Sequence, residues 1–159
     1  MSTTTPMAPA ARVRGGLTVG RWLALAGGVL VAVTGWLDWT SRTTVGPDES
    51  AFKFPAKFVL DYQSLREGLS LGVVVLVLGL LIALAAFAPG AAGPVLGVLL
   101  GIAAGLLAFL FVYQVHVLLD ENDVAGVTLT DALGIGPYLA AVGGALAVLG
   151  GLLAFVIRR

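Results

Sequence analysis

Four long apolar runs, separated by connections of different character, set the pattern of this chain. They cover residues 17–39, 65–88, 95–119 and 136–157. Each holds on the order of 20 residues, enough for a helix to cross a hydrocarbon core of ~30 Å. The third run carries the most regular internal pattern, with Gly93, Gly97, Gly101 and Gly105 recurring every fourth residue. On a helix, residues four apart lie nearly above one another, so these glycines form one smooth stripe. In water they would weaken the helix by roughly 1 kcal/mol each against alanine. In a bilayer the backbone stays helical because nothing else satisfies its polar groups, and the stripe lets a neighbouring helix come close. The pattern predicts an all-α membrane protein: a four-helix transmembrane bundle with a long first outer loop, organised around its third helix.

Smaller ladders occur in the other runs. Gly136, Ala140 and Gly144 form one in the fourth, and Gly143, Ala147 and Gly151 a second; Gly68 and Gly72 mark the second run, Gly28 and Gly35 the first. Ser64 before Leu65, with Glu67 three residues on, has the spacing of a capping box at a helix start. The connection Pro89-Gly90-Ala91-Ala92-Gly93-Pro94 is uncharged and short enough to force an antiparallel helical hairpin, a turn to which Gly93 itself can belong. Residues 1–16 are polar and rich in small residues, with Pro6 and Pro9, and read as a disordered cytoplasmic tail before the membrane domain 17–159. A signal peptide is the competing reading; the length of the run 22–37 and the missing A-x-A site weigh against it.

Composition reinforces the pattern. Of 159 residues, 58% are apolar and 11% charged, and the mean hydropathy is +1.01. A soluble domain of this size needs far more polar surface. There is no cysteine, which excludes disulfides, thiolate metal sites and cysteine nucleophiles.

Charge sets the orientation. Arg12, Arg14 and Arg21 precede or open the first run, and Arg158 and Arg159 follow the fourth. All nine carboxylates lie in or beside the two opposite loops, with Arg42, Lys53, Lys57 and Arg66. Arginine-rich flanks stay in the cytoplasm, so both termini are expected inside a bacterial plasma membrane and both charged loops outside.

The first outer loop holds Phe52, Phe54, Phe58 and Tyr62 beside Lys53, Lys57 and Asp61. Phe52-Lys53-Phe54 alternates as a short strand would, while Phe58, Val59, Tyr62 and Leu65 recur at helical spacing after Pro55. These aromatics are the candidate contact surface for a membrane or envelope protein partner, since interface hot spots are enriched in such side chains. The plainer reading places them at the lipid headgroups or as a cap on the bundle. The second outer loop, 120–131, carries Asp120, Glu121, Asp123 and Asp131 and no basic residue. Val124 and Ala125 fill the places where a calcium-binding loop needs a ligand and a glycine, so a solvated acidic loop is the better reading.

Ionisable groups inside a span mark transporters, pumps and membrane enzymes. The middle of every run lacks them. Asp38 and His116 stand at the outer ends, and Arg42 follows Asp38 at the spacing of an interfacial pair on one helical turn. A lone histidine makes no zinc site. No phosphate loop, nucleophile elbow or H-E-x-x-H motif occurs, and the cytoplasmic arginines are accounted for by topology. No cofactor, metal, catalytic residue or nucleic-acid partner is therefore expected.

The layout, with inside termini, a long first outer loop, a shorter second one and Trp36 and Trp39 ending the first span, resembles the claudin-like tetraspan arrangement. It lacks that family's Gly-Leu-Trp motif and cysteine pair, so the likeness is one of layout. In composition, and in Trp36-Leu37-Asp38-Trp39 and Gly136-Pro137-Tyr138-Leu139, the chain is similar to uncharacterised four-span membrane proteins of GC-rich actinobacteria. That resemblance implies no activity. The expected role is non-enzymatic, an accessory subunit or envelope scaffold acting through its outer loops; the alternative is a small transporter or channel subunit.

Overall fold

The structure, a computed structural model, describes residues 18–39, 71–121 and 128–157. Among these lie α1 (Val19–Val33), continued by a 3-10 turn (Thr34–Trp36), then α2 (Leu71–Ala85), α3 (Ala92–Glu121), the short α4 (Leu129–Ala132) and α5 (Gly136–Val156). No β-strand occurs among the described residues. The expected tail, the Ser64–Glu67 capping box and the loop aromatics Phe52, Phe54, Phe58 and Tyr62 lie outside them.

Three stretches are long and apolar enough to cross a membrane: Val19–Trp36, Ala92–Val117 and Gly136–Val156. The fourth apolar helix, α2, has 15 residues, about 22 Å of rise; residues 65–70 of the expected second span lie outside the described ones. The described residues are thus mostly helical, with three membrane-length apolar stretches and one shorter apolar helix among them.

The four long helices form a ring in chain order. α1 packs against α2 and α5, and α3 packs against the same two, while α1 and α3 face each other across the ring with little contact. Val31, Val75, Ile82 and Phe111 are fully or almost fully buried at the centre, joined by Ala104, Leu107, Ala108, Ala140 and Ala147. The opposite faces are just as apolar: Val29, Val77, Leu84, Leu99, Leu106, Leu149 and Leu152 are all exposed. Helices apolar all round need a non-aqueous surrounding for their outer faces.

One end of the ring gathers the start of α1, the α2–α3 hairpin and the end of α5. The last turn of α2 tightens through Ala86, Phe87 and Ala88 N–H groups bonded to Ala83, Leu84 and Ala85 carbonyls. Pro89 cannot continue the helix, and Gly90 takes the left-handed conformation, φ 69°, that reverses the chain. Arg21 then donates from its guanidinium to the Ala88 carbonyl, 3.0 Å away and part-buried. A cation on the carbonyl end of α2 satisfies an orphan acceptor and complements the helix dipole.

Close packing centres on α5 more than on the α3 stripe. Toward α1, a Cβ built on Gly150 would lie 2.5 Å from the Gly20 carbonyl oxygen, and one on Gly27 2.5 Å from that of Gly143. Toward α3, a Cβ on Gly144 would stand 2.7 Å from the Gly101 oxygen, and one on Gly151 2.7 Å from that of Pro94. Real side-chain atoms do not fit at such distances, so these backbones touch because the residues are glycine. Within the expected stripe the four glycines differ. Gly101 meets the Gly144 oxygen at 2.8 Å; Gly97 has only the Ala147 oxygen, at 4.0 Å; Gly105 has nothing within 4 Å. Gly93 lies inside the first turn of α3, where a Cβ would press 2.5 Å from the Ala85 oxygen, so it serves the hairpin and not a helix–helix seam. A step of four residues turns slightly past one helical repeat, so the four glycines of this thirty-residue helix do not all point at one partner.

Candidate functional site

The end of the ring opposite Arg21 carries the polar groups singled out in the sequence. There α1 does not continue to Trp39. Its α-helix stops at Val33, the 3-10 turn spans Thr34–Trp36, and Leu37 is extended (φ −87°, ψ 156°). Asp38 and Trp39 therefore stand on non-helical backbone. Arg42 itself lies outside the described residues.

Polar bonding explains the break. Thr34 is fully buried, and its hydroxyl donates to the Val31 carbonyl at 2.6 Å. The Thr34 carbonyl, at the helix end, accepts from the Leu37 N–H at 3.2 Å and, with its second lone pair, from Trp39 Nε1 at 2.8 Å. The chain must fold back for this, carrying the Trp39 indole into the bundle. It packs edge-on against Phe111, with centroids 5.1 Å apart and planes at 86°, a favoured aromatic geometry. The same fold-back presents two carbonyls to the start of α5: Asp38 O accepts from Gly136 N at 3.0 Å and Trp39 O from Gly134 N at 3.1 Å. Gly136 has to be glycine, since a Cβ there would sit 2.5 Å from Trp39 Cδ1.

The two tryptophans expected to share an interfacial role are divided. Trp36 is 72% exposed and Trp39 only 8%. Asp38 is exposed, as are His116 and Asp120, which sit one turn apart near the end of α3. Further along, Thr128 and Asp131 form a reciprocal capping box at the start of α4. Thr128 Oγ1 donates to Asp131 Oδ2 at 2.5 Å and the Thr128 N–H does so at 3.1 Å. Both bonds favour the ionised carboxylate and hold its pKa below the ordinary aspartate value. Asp131 is thus a helix cap within the loop read as merely solvated.

Among the described residues, no three metal-ligating side chains come together. The ionisable acidic, basic and histidine positions described are Arg21 at one end and Asp38, His116, Asp120, Glu121 and Asp131 toward the other. Two residues here escaped the sequence reading. Thr34 offered no pattern, because a single threonine in an apolar run is unremarkable by hydropathy. Gln114, uncharged, has a buried Oε1 with no hydrogen-bond partner among the described residues. Its position three residues past Phe111, near the end of a long apolar run, was the available signal.

Compared with models of known protein families, with characterised proteins and with solved structures, the chain has no match.

Proposed function

We propose that the chain is a non-enzymatic, four-span protein of a bacterial plasma membrane, with both termini cytoplasmic. In this reading it acts as an accessory subunit or envelope scaffold, and its outer loops, 40–64 and 120–131, contact a membrane or envelope protein. The observation that carries the reading is the polarity of the bundle. Arg21 and the end of α5, which leads to Arg158 and Arg159, share one end, while the described acidic positions lie toward the other. Between them the ring is sealed by glycine-on-backbone contacts and a core of apolar side chains. An apolar core joined by backbone contact is suited to holding loops at fixed positions, which is what a scaffold requires.

Reporter fusions after Arg159 and within residues 89–94 should report cytoplasm, and fusions near Asp48 or Asp123 the outside. An outside C-terminus would overturn the topology. Replacing Phe52 and Phe54 with serine tests the loop contact. Loss of a stoichiometric co-purifying protein, at an unchanged melting temperature, supports it. A fall in melting temperature with the co-purification profile intact would sink it, and substrate-dependent flux in liposomes would favour the transporter reading.

A further inference from the structure

We infer that six of the seven exposed aromatic side chains among the described residues form two girdles that seat the bundle at the two lipid headgroup–acyl boundaries, with Trp22 and Trp36 as the anchors on α1; the seventh, Phe109, stacks on Tyr113 from one turn deeper along α3. This rests on the membrane reading above. The contacts already described fix the level of each ring. At the Arg21 end, Trp22 (57% exposed) follows the residue that bonds Ala88, and Phe87 precedes Ala88. Gly20 lies against Ala154, and exposed Phe155 is next to it. At the other end, Trp36 follows Gly35, three residues before the Trp39 ring that packs on Phe111 and Gly136; exposed Tyr113 and Tyr138 stand two residues beyond these two contacts.

Each girdle is therefore spread around the ring: Trp22, Phe87 and Phe155 come from α1, the α2–α3 hairpin and α5, and Trp36, Tyr113 and Tyr138 from the end of α1, α3 and α5. A protein partner buries one contiguous patch. A lipid boundary touches every side at one depth, and amphipathic aromatic rings concentrate there. The girdles are separated by about 21 Å along α1, from Trp22 to Trp36, and about 26 Å along α5, from Phe155 to Tyr138, at ~1.5 Å per residue. That separation suits a hydrocarbon layer at the thin end of the range for biological bilayers. Trp39, though close in sequence to Trp36, is excluded from the girdle by its bond to Thr34.

The chain's three tryptophans make the test direct. The full chain, W22F, W36F and the W22F/W36F double variant are reconstituted in phosphatidylcholine vesicles brominated either high or deep on the acyl chain. Every variant keeps Trp39, and both substitutions fall on exposed rings. An alkaline wash and flotation first establish that the protein is inserted. We expect the Trp22 and Trp36 emissions, obtained by difference from the double variant, to be quenched at least about twofold more by shallow than by deep bromines, as interfacial rings should be. The Trp39 emission should respond weakly to either. If the protein floats but deep bromines quench Trp22 and Trp36 better, or neither lipid quenches them, the girdles are overturned and the membrane reading stands. Shielding of Trp36 from lipid bromines and aqueous acrylamide alike would assign it to a protein contact instead, which also overturns the proposal. Failure to float overturns both readings.

Discussion

Gly27 of α1 and Gly143 of α5 exclude each other's side chains. A Cβ on Gly27 would lie 2.5 Å from the Gly143 oxygen, and a Cβ on Gly143 2.9 Å from the Gly27 oxygen. Either substitution must push two backbones apart, along a seam that Gly20 and Gly150 continue toward the Arg21 end. Gly27→Val should therefore destabilise the protein by about 1–3 kcal/mol, the usual range for overpacking, seen as a lower melting temperature in mild detergent. Gly105→Ala, at a position with nothing within 4 Å, should leave it unchanged or slightly raised. Equal effects at the two sites would show that the α1–α5 seam is not close-packed.

Trp39 and Trp36 should separate just as sharply. Trp39→Ala removes a buried ring and one of the two donors to the Thr34 carbonyl, leaving the Leu37 N–H. Large-to-small changes of a buried aromatic cost about 3–5 kcal/mol. Trp36→Ala, on an exposed ring, should alter the melting temperature little. The comparison is made by thermal unfolding of both variants in the same detergent.

Arg21→Gln tests the cap on α2. The charge-assisted bond to the Ala88 carbonyl is part-buried, and its loss should cost about 1 kcal/mol after allowance for solvent screening. Hydrogen exchange should rise locally in the α2–α3 hairpin. Arg21→Lys should recover part of the loss, because a lysine keeps the charge but not the planar fork. An unchanged exchange pattern in Arg21→Gln would remove the cap from the account of how α1 and α2 are joined.

Asp131 gives a pH dependence of defined sign. Its folded-state pKa is lowered, first by the Thr128 hydroxyl and then by the Thr128 N–H. The contribution of the ionised cap to α4 is complete above the ordinary aspartate pKa of ~4. It is lost as the pH falls further, through the lowered folded value. Carboxyl NMR of Asp131 should show titration below that of a free aspartate, and Thr128→Ala should move it back up. A midpoint unaffected by Thr128→Ala would mean that the hydroxyl bond does not form in solution.

How far the sequence carried these conclusions depends on the kind of signal each required. The bounds of α5 fall almost where hydropathy put them, since a polar loop and an arginine pair frame that run. The hairpin before α3 was equally legible from Pro89 and Gly90. The end of α1 was not. Hydropathy averages over a window and contains no term for a threonine carbonyl that recruits an indole five residues on. Trp36 and Trp39 look alike to a rule about interfacial aromatics, and only the fold-back distinguishes them. Glycine spacing revealed that faces exist for packing, but not which partner each meets. Gly28 and Gly35, the faintest of the ladders, press on α2 through Gly79 and Gly72, whereas Gly105, in the most regular ladder, has open space where its own Cβ would stand. The regularity of a ladder measures how straight a stripe runs along one helix. Contact depends on the crossing of two.

The position of α5 in the ring has a consequence for biosynthesis. It follows the other described helices in the chain, yet it supplies one wall of the seam with α1, the earliest of them, and one wall of the seam with α3. Until it arrives, Gly20 and Gly27 on α1 and Gly101 on α3 have no backbone to meet. The ring thus cannot close progressively as the chain emerges. A nascent chain halted before Gly136 would present two glycine-lined grooves to its surroundings, and both would be filled by one later event, the docking of α5.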